Sequence, residues 1–265
     1  MQAYETIKLD ATPGGVAIVT LNRPDKHNAF NALVIDELAD AFETLRGEDH
    51  LRMVILRGAG KSFSAGADLT WMKAAADYSR EENEEDAFAL AEMLRKLYEL
   101  PQLTCALVHG AAMGGGAGLV AACDMALALR SAVFRFSEVR LGLTPATISP
   151  YVIDAIGPRW AKALFLTGES FDGDFAARIG LVHHVADDAD GLARLEEHIS
   201  ALMFDTAPGA VADAKRLVRE VTGLVINQSL SRDTARRIAA RRVSEEGREG
   251  LAAFLEKRRP DWAEG

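Results

Sequence analysis

Apolar residues along this chain fall into two rhythms. Short runs of large or β-branched apolar residues, Val16 to Leu21, Met53 to Arg57, Thr104 to Val108, Met125 to Ala128 and Val133 to Phe136, read as strands. Between several of them the apolar spacing lengthens to that of a helix face. Val34, Leu38, Ala41, Phe42 and Leu45 form one such stripe, and Ala87, Leu90, Ala91, Leu94, Leu97 and Tyr98 form another. The pattern predicts a mixed α/β fold. Beyond Val185 strand signals almost vanish, and Leu192 to Phe204, Pro208 to Val221 and Ser229 to Arg258 read as charged helices. The expected division is an α/β core over residues 1–191 and a helical region over 192–265. Basic residues of the helical region, Lys215, Arg216, Arg219, Arg236, Arg237, Arg241 and Arg242, read as solvated helix faces, with subunit contact as the alternative. Acidic Glu81 to Asp86 reads as a helix start, where carboxylates complement the dipole.

The longest apolar stretch, Leu103 to Leu129, has the length of a membrane span, but His109, Asp124 and Gly114 to Gly116 interrupt it. A strand, a glycine turn and a buried helix account for it better. Composition agrees: 265 residues, 49% hydrophobic and 26% charged, describe a globular chain and exclude disordered and fibrous classes. Lysine and arginine total 30 against 39 aspartate and glutamate, a net charge of −9 that argues against nucleic-acid or membrane-surface partners. Cys105 and Cys123 lie in apolar settings without metal-ligand spacing, which suggests neither a disulfide framework nor a zinc site and fits a reducing cytoplasm. Met1 to Asp10 lacks a basic segment followed by an apolar one, so it does not read as a signal peptide.

Three segments carry candidate chemistry. The cluster Gly110, Gly114, Gly115, Gly116 and Gly118 follows a predicted strand and opens a predicted helix, where free N–H groups and the helix dipole favour an anion. It lacks the Gly-Lys-Ser/Thr of a phosphate loop and the third glycine of a dinucleotide fingerprint. A second turn, Lys61 to Leu69, follows the strand ending near Arg57 and is rich in small residues. By itself it reads as a tight turn with Asp68 capping a helix. Two such turns together can aim paired backbone donors at one oxygen, the device that stabilises an enolate or tetrahedral anion. The third segment places Glu138 among apolar residues after a strand, where burial would raise its pKa and suit proton transfer; the alternative is a structural ion pair with Arg140.

In this order the segments resemble the crotonase family, the enoyl-CoA hydratase/isomerase superfamily. The resemblance runs through Leu21 to Asn31, Phe63 to Leu69, His109 to Asp124, Ser137 to Gly142, Leu166 to Glu169, Ala177 to Val182 and Phe254 to Lys257, nearly the whole chain. It implies a spiral of ββα units, a carboxy-terminal helical region that assembles trimers or hexamers, acyl-CoA substrates, and no cofactor beyond the CoA of the substrate itself. It further implies that the N–H groups of Ala67 and Gly115 form an oxyanion hole, with Gly114 in the same turn. Ala65, Gly66, Asp68 and Leu69 would cradle CoA, Lys26 would lie near its phosphates, and Lys257 would reach the CoA of a neighbouring subunit. Glu138 becomes the proton carrier. Many hydratases of the family carry a second glutamate where this chain has Gly118, a departure that brings it nearer the one-glutamate isomerases. Ser137 to Tyr151 and Gly114 to Val120 are instead similar to bacterial hydratases of 3-methylglutaconyl-CoA and related branched, carboxylated substrates. Arg140 and Lys73 are the nearby cations for such a carboxylate, although surface or structural charge is their simpler role. An enoyl-CoA hydratase is the first expectation, an isomerase the second, and a non-catalytic CoA-binding homologue the third.

Overall fold

The computed structural model describes residues 4–263 of the chain; Met1 to Ala3, the start of the segment expected not to be a signal peptide, lie outside them. Six strands form the large sheet: β1 (Ile7–Ala11), β2 (Val16–Leu21), β3 (Met53–Gly58), β4 (Leu103–Val108), β6 (Met125–Leu129) and β9 (His184–Ala186). They lie in the order β1-β2-β3-β4-β6-β9, antiparallel at the first pair and parallel thereafter. A smaller sheet joins β5 (Ala111–Met113), β7 (Val133–Arg135) and β8 (Ser170–Asp172). Single parallel bridges, Phe30 to Ala67 and Ser64 to Ala112, extend this second layer backward along the chain. Each winding thus adds a strand to the large sheet, then a short stretch to the second layer, then helix.

The helices are α1 (Ala32–Arg46), α2 (Leu69–Ala75), α3 (Arg80–Tyr98), α4 (Gly115–Ala122), α5 (Ser149–Thr167), α6 (Gly173–Ile179), α7 (Ala189–Phe204), α8 (Pro208–Val221), α9 (Gln228–Arg242) and α10 (Glu245–Glu256). Polar side chains start many of them: Asn31 accepts from Val34 N–H, and Ser79 and Glu82 form a reciprocal capping box at α3. Both faces of the sheet's interior are covered, which explains why β2, β3, β4 and β6 are nearly continuous apolar runs instead of alternating ones. On one face Val54, Leu56, Ala106, Val108, Ala126 and Ala128 pack with side chains of α1, α3 and α4. On the other, Met53, Ile55, Cys105, Leu107 and Leu127 meet Leu192, Ile199 and Met203 of α7.

All five predicted strands and both predicted helix stripes are present, with ends shifted by a few residues. The sequence reading missed β1, whose charged residues Lys8 and Asp10 mask the half-buried pattern of an edge strand, and the three-residue strands β5, β8 and β9. Ser229 to Arg258 is two helices. The chain breaks at Val243 and restarts where Ser244 Oγ accepts from Gly247 N–H.

The basic residues of the carboxy-terminal region are not uniformly solvated, contrary to expectation. Lys215, whose side chain is only 10% exposed, binds Asp124 Oδ2 at 2.6 Å and the Gln102 carbonyl at 3.2 Å. Asp124 in turn accepts from Thr104 N–H and Oγ1, both at 2.8 Å. Arg219 donates to the Tyr98 carbonyl at 3.1 Å and stacks on its ring, while Arg241 pairs with Asp213 and Glu246. Charge at helical spacing cannot announce the docking of Lys215 and Arg219, because their partners lie far off in the chain, just before β4, just beyond α4 and at the end of α3. Burial pushes the Lys215 ammonium down from its ordinary pKa, and Asp124 opposes that shift. Replacing Lys215 by Ala strands Asp124, so it is expected to cost about 2–4 kcal/mol in urea unfolding at pH 7. Exposed Arg242→Ala should stay within about 0.5 kcal/mol of the parent; equal effects would contradict the docking role of Lys215.

Candidate active site

Two turns and one carboxyl meet at a cavity of about 290 Å³. The first turn, Ser64 to Asp68, runs between Phe30 and β5. Ser64 N–H donates to Ala111 O at 2.9 Å, Ala65 N–H to His27 O at 2.9 Å, and Asp68 N–H to Phe30 O at 2.7 Å. Gly66 N–H faces Ser64 Oγ at 3.3 Å. Among the described residues, Ala67 N–H has no such acceptor. The side chains alternate: Ser64, Gly66 and Asp68 are buried, whereas Ala65, Ala67 and Leu69 are exposed. The second turn enters α4. Gly114 N–H is bonded to Arg135 O at 2.9 Å, and the first intrahelical acceptor, Gly114 O, serves Gly118 N–H at 3.0 Å. Gly115, as the first helical residue, keeps an N–H without an intrahelical partner. Ala67 and Gly115 both line the cavity, so two residues with unspent backbone donors border one space.

Glycine is required where these turns close on each other. Gly114 has φ +49°, a conformation that side chains disfavour. A β-carbon on Gly116 would stand 2.7 Å from Ser64 Cβ. The amino-terminal part of the resemblance supplies the scaffold. Asn28, 2% exposed, donates from Nδ2 to Ala59 O and Ser62 O at 2.9 and 2.8 Å, and its carbonyl accepts from Ser64 Oγ at 2.9 Å. Asp68 caps α2, accepting Thr70 N–H at 2.8 Å, and binds Arg23 at 2.9 Å.

Glu138 opens a 3-10 turn, Glu138 to Leu141, directly after β7. Its side chain lies against the second turn: a β-carbon on Gly114 would be 3.1 Å from Oε1. Its Oε2 is buried without a hydrogen-bond partner among the described residues. Burial pushes the carboxyl above the ordinary glutamate pKa, which is the environment proton transfer at neutral pH needs. Phe30, Trp71, Met72, Leu90, Met113 and Ile148 supply much of the apolar lining. Trp71 is held by an Nε1–H bond to Asp86 at 3.1 Å.

The cavity brings together Ala65, Gly66, Ala67, Leu69, Gly114, Gly115 and Glu138. Asp68 lies beneath the first turn with its carboxylate engaged by Arg23 and Thr70, so its place is that of a brace. Lys26 is exposed on the turn Pro24 to Lys26, Lys257 is exposed at the end of α10, and neither lines the cavity. Lys73 and Arg140 do not line it either; Arg140 reaches the Thr167 carbonyl at 3.4 Å. Sequence reasoning assigned no role to Phe30 or Ile148, because only the tertiary fold brings them to the two turns.

The chain matches the enoyl-CoA hydratase/isomerase family over residues 11–265. It superposes on an enoyl-CoA hydratase from Shewanella pealeana with a TM-score of 0.93 and 41% identity, covering 97% of this chain and 96% of that one. Pseudomonas aeruginosa AtuE gives a TM-score of 0.93 and 37% identity, over 98% and 100% of the two chains. The probable enoyl-CoA hydratase echA8 of Mycobacterium tuberculosis is 34% identical over 267 residues, 98% of each chain. The fold, the sequence match and the paired turns make this chain a member of the enoyl-CoA hydratase/isomerase family, the crotonase superfamily.

Asp68 gives a test of the bracing. Thr70 N–H, and after it Arg23, hold the carboxyl below its ordinary pKa. A depressed acid stabilises the fold above its unfolded pKa, near 3.8, and loses that contribution as pH falls through the folded value. Asp68→Ala is therefore expected to cost about 1–2 kcal/mol at pH 7 through loss of the cap. The gap from the parent in urea melts should narrow below pH 4; a gap that widens there would refute the assignment.

Proposed function

We propose that the protein is an enoyl-CoA hydratase that works with one carboxyl group. The observation that carries the proposal is the half-buried, partly unpaired carboxyl of Glu138 in the same cavity as two unspent backbone N–H groups. In this reading the thioester oxygen accepts from Ala67 N–H and Gly115 N–H. Glu138, as carboxylate, takes a proton from water while the water oxygen bonds to C3 of the 2-enoyl chain. The electron pair of the double bond moves onto the thioester as an enolate, which the two donors stabilise without having to reorganise. Glu138 then returns the proton to C2, and water has been added with the enzyme unchanged. The acid–base work is assigned to Glu138 and the charge stabilisation to backbone, so no metal or redox cofactor is invoked.

A second reading, double-bond isomerisation, is favoured by the absence of a side chain at Gly118. There Glu138 would remove a C2 proton from a 3-enoyl thioester, giving a dienolate held by the same two donors, and return the proton at C4. A substrate with a second carboxylate would need a cation beyond the cavity lining, since Arg140 is turned to Thr167. We assign the exposed apolar side chains Ile238, Val243, Leu251, Phe254 and Leu255 to contacts within a trimer or hexamer. That assembly would carry Lys257 to a neighbour's CoA, with Lys26 serving the phosphates of its own.

Incubation with crotonyl-CoA, 3-methylglutaconyl-CoA and a 3-enoyl-CoA, with chromatography of products, separates these readings. 3-Hydroxyacyl products are expected; 2-enoyl product from the 3-enoyl substrate alone would select the isomerase. No conversion, with CoA thioesters still bound, would select a binding protein. Glu138→Gln should keep binding and lose about 100- to 10,000-fold in kcat. Because burial raises the Glu138 pKa and its carboxylate is the base, the acid limb of kcat/KM should fall above pH 4.5. A limb at or below that value would count against Glu138.

A further inference from the structure

Gly118 lies one helical turn beyond Gly114 and Gly115 on α4. In a helix the Cα–Cβ bonds tilt toward the amino terminus, so a side chain at 118 would grow back toward the turn that carries the Gly115 donor. That volume is already filled. A β-carbon on Gly118 would stand 2.2 Å from Ile148 Cγ2 and 2.9 Å from Ile148 Cβ. Ile148 is 1% exposed, precedes the first residue of α5, and lines the same cavity as Gly115 and Glu138. Its carbonyl accepts from Val152 N–H at 3.1 Å, and its branched β-carbon restricts χ1. The methyl group therefore cannot swing away as the end of a long side chain could.

We infer that Ile148 is a specificity-determining residue: it occupies the space that a second acid–base side chain at position 118 would need, and so leaves Glu138 to act alone. The inference rests on the reading of Glu138 as proton carrier. Its chemical consequence concerns water. An apolar side chain on the α4 side of the cavity offers water no hydrogen bond, so a water that attacks C3 is oriented by Glu138 without help. Water addition and double-bond migration then compete for the same carboxyl, and residue 148 weights the competition.

A double-mutant cycle tests the fit without any chemistry. Gly118→Ala alone is expected to lower Tm by several degrees, whereas Gly118→Ala combined with Ile148→Ala should melt no lower than Ile148→Ala, a strongly non-additive result. Additive effects, or a Gly118→Ala variant as stable as the parent, would overturn the inference. The chemical arm uses Gly118→Glu with Ile148→Gly, beside Ile148→Gly alone, on matched 2-enoyl and 3-enoyl thioesters. The double variant should raise the ratio of hydration to migration by at least about tenfold and add a second ionisation to the kcat/KM profile. Ile148→Gly alone should add none. A folded double variant with the parent's ratio and profile would overturn the specificity role. A parent inert toward every thioester would overturn the functional reading itself, and would be recognised before any substitution is made.

Discussion

Backbone hydrogen-bond accounting at two crossing turns is the constraint on which the site depends. A buried chain must satisfy its N–H groups, and the segment from Ser64 to Asp68 does so at every position except Ala67. The start of α4 leaves Gly115 similarly unspent, because the first N–H groups of a helix have no acceptor inside it. The bonds that use the other donors also fix where these two point. Ser64 N–H and O clasp β5, Gly66 O receives Phe30 N–H, and Asp68 N–H returns to Phe30 O. Such contacts need the two backbones within side-chain distance, which the missing β-carbon of Gly116 against Ser64 permits. In the proposed mechanism, donors locked in this way are preorganised for a developing negative charge and do not have to move during reaction.

The carboxyl opposite is kept in surroundings that work against stability and for chemistry. Glu138 has an oxygen buried without a partner, in a cavity lined mainly by apolar groups. Desolvation raises its pKa and brings the two protonation states closer in energy near neutral pH. The same apolar packing that perturbs the carboxyl also defines what stands beside it. At Gly118 the helix offers no side chain, and Ile148 fills the space. Polar isolation of one carboxyl and close packing around it are thus two aspects of one arrangement.

Helix α7 docks on the core by apolar contact, but α8 is tied to it by buried charge more than by a broad apolar face. Lys215 of α8 reaches Asp124 at the end of α4, and Asp124 is also bound by Thr104 of β4. Breaking such a network exposes the cost of each remaining partner, so the register of α8 on the core is well specified even where apolar contact is sparse. Apolar side chains of α9 and α10 meanwhile remain exposed. The charge network holds α8 to the core, and those side chains of α9 and α10 stay outside it.

Local pattern by itself determined most of the large sheet and the long helices. Strands such as Val16–Leu21 are buried on both faces, so every residue but Thr20 is apolar and the run is legible; α1 and α3 bury one stripe, and their spacing shows it. The glycine cluster, the small-residue turn and Glu138 were also legible, because their composition departs from what packing alone would ask. Pattern failed where a segment is too short to carry a period, as in β5, β8 and β9, or where charge conceals an edge strand, as in β1. Tertiary structure alone decided which charges are buried, since Lys215 and Arg242 look alike until Asp124, 91 residues from Lys215 along the chain, is brought to one of them. It also decided the role of Ile148. Whether an isoleucine is core filler or the wall of a reacting site depends on which backbone it faces, and only the winding of the chain sets α5 against Gly118 of α4.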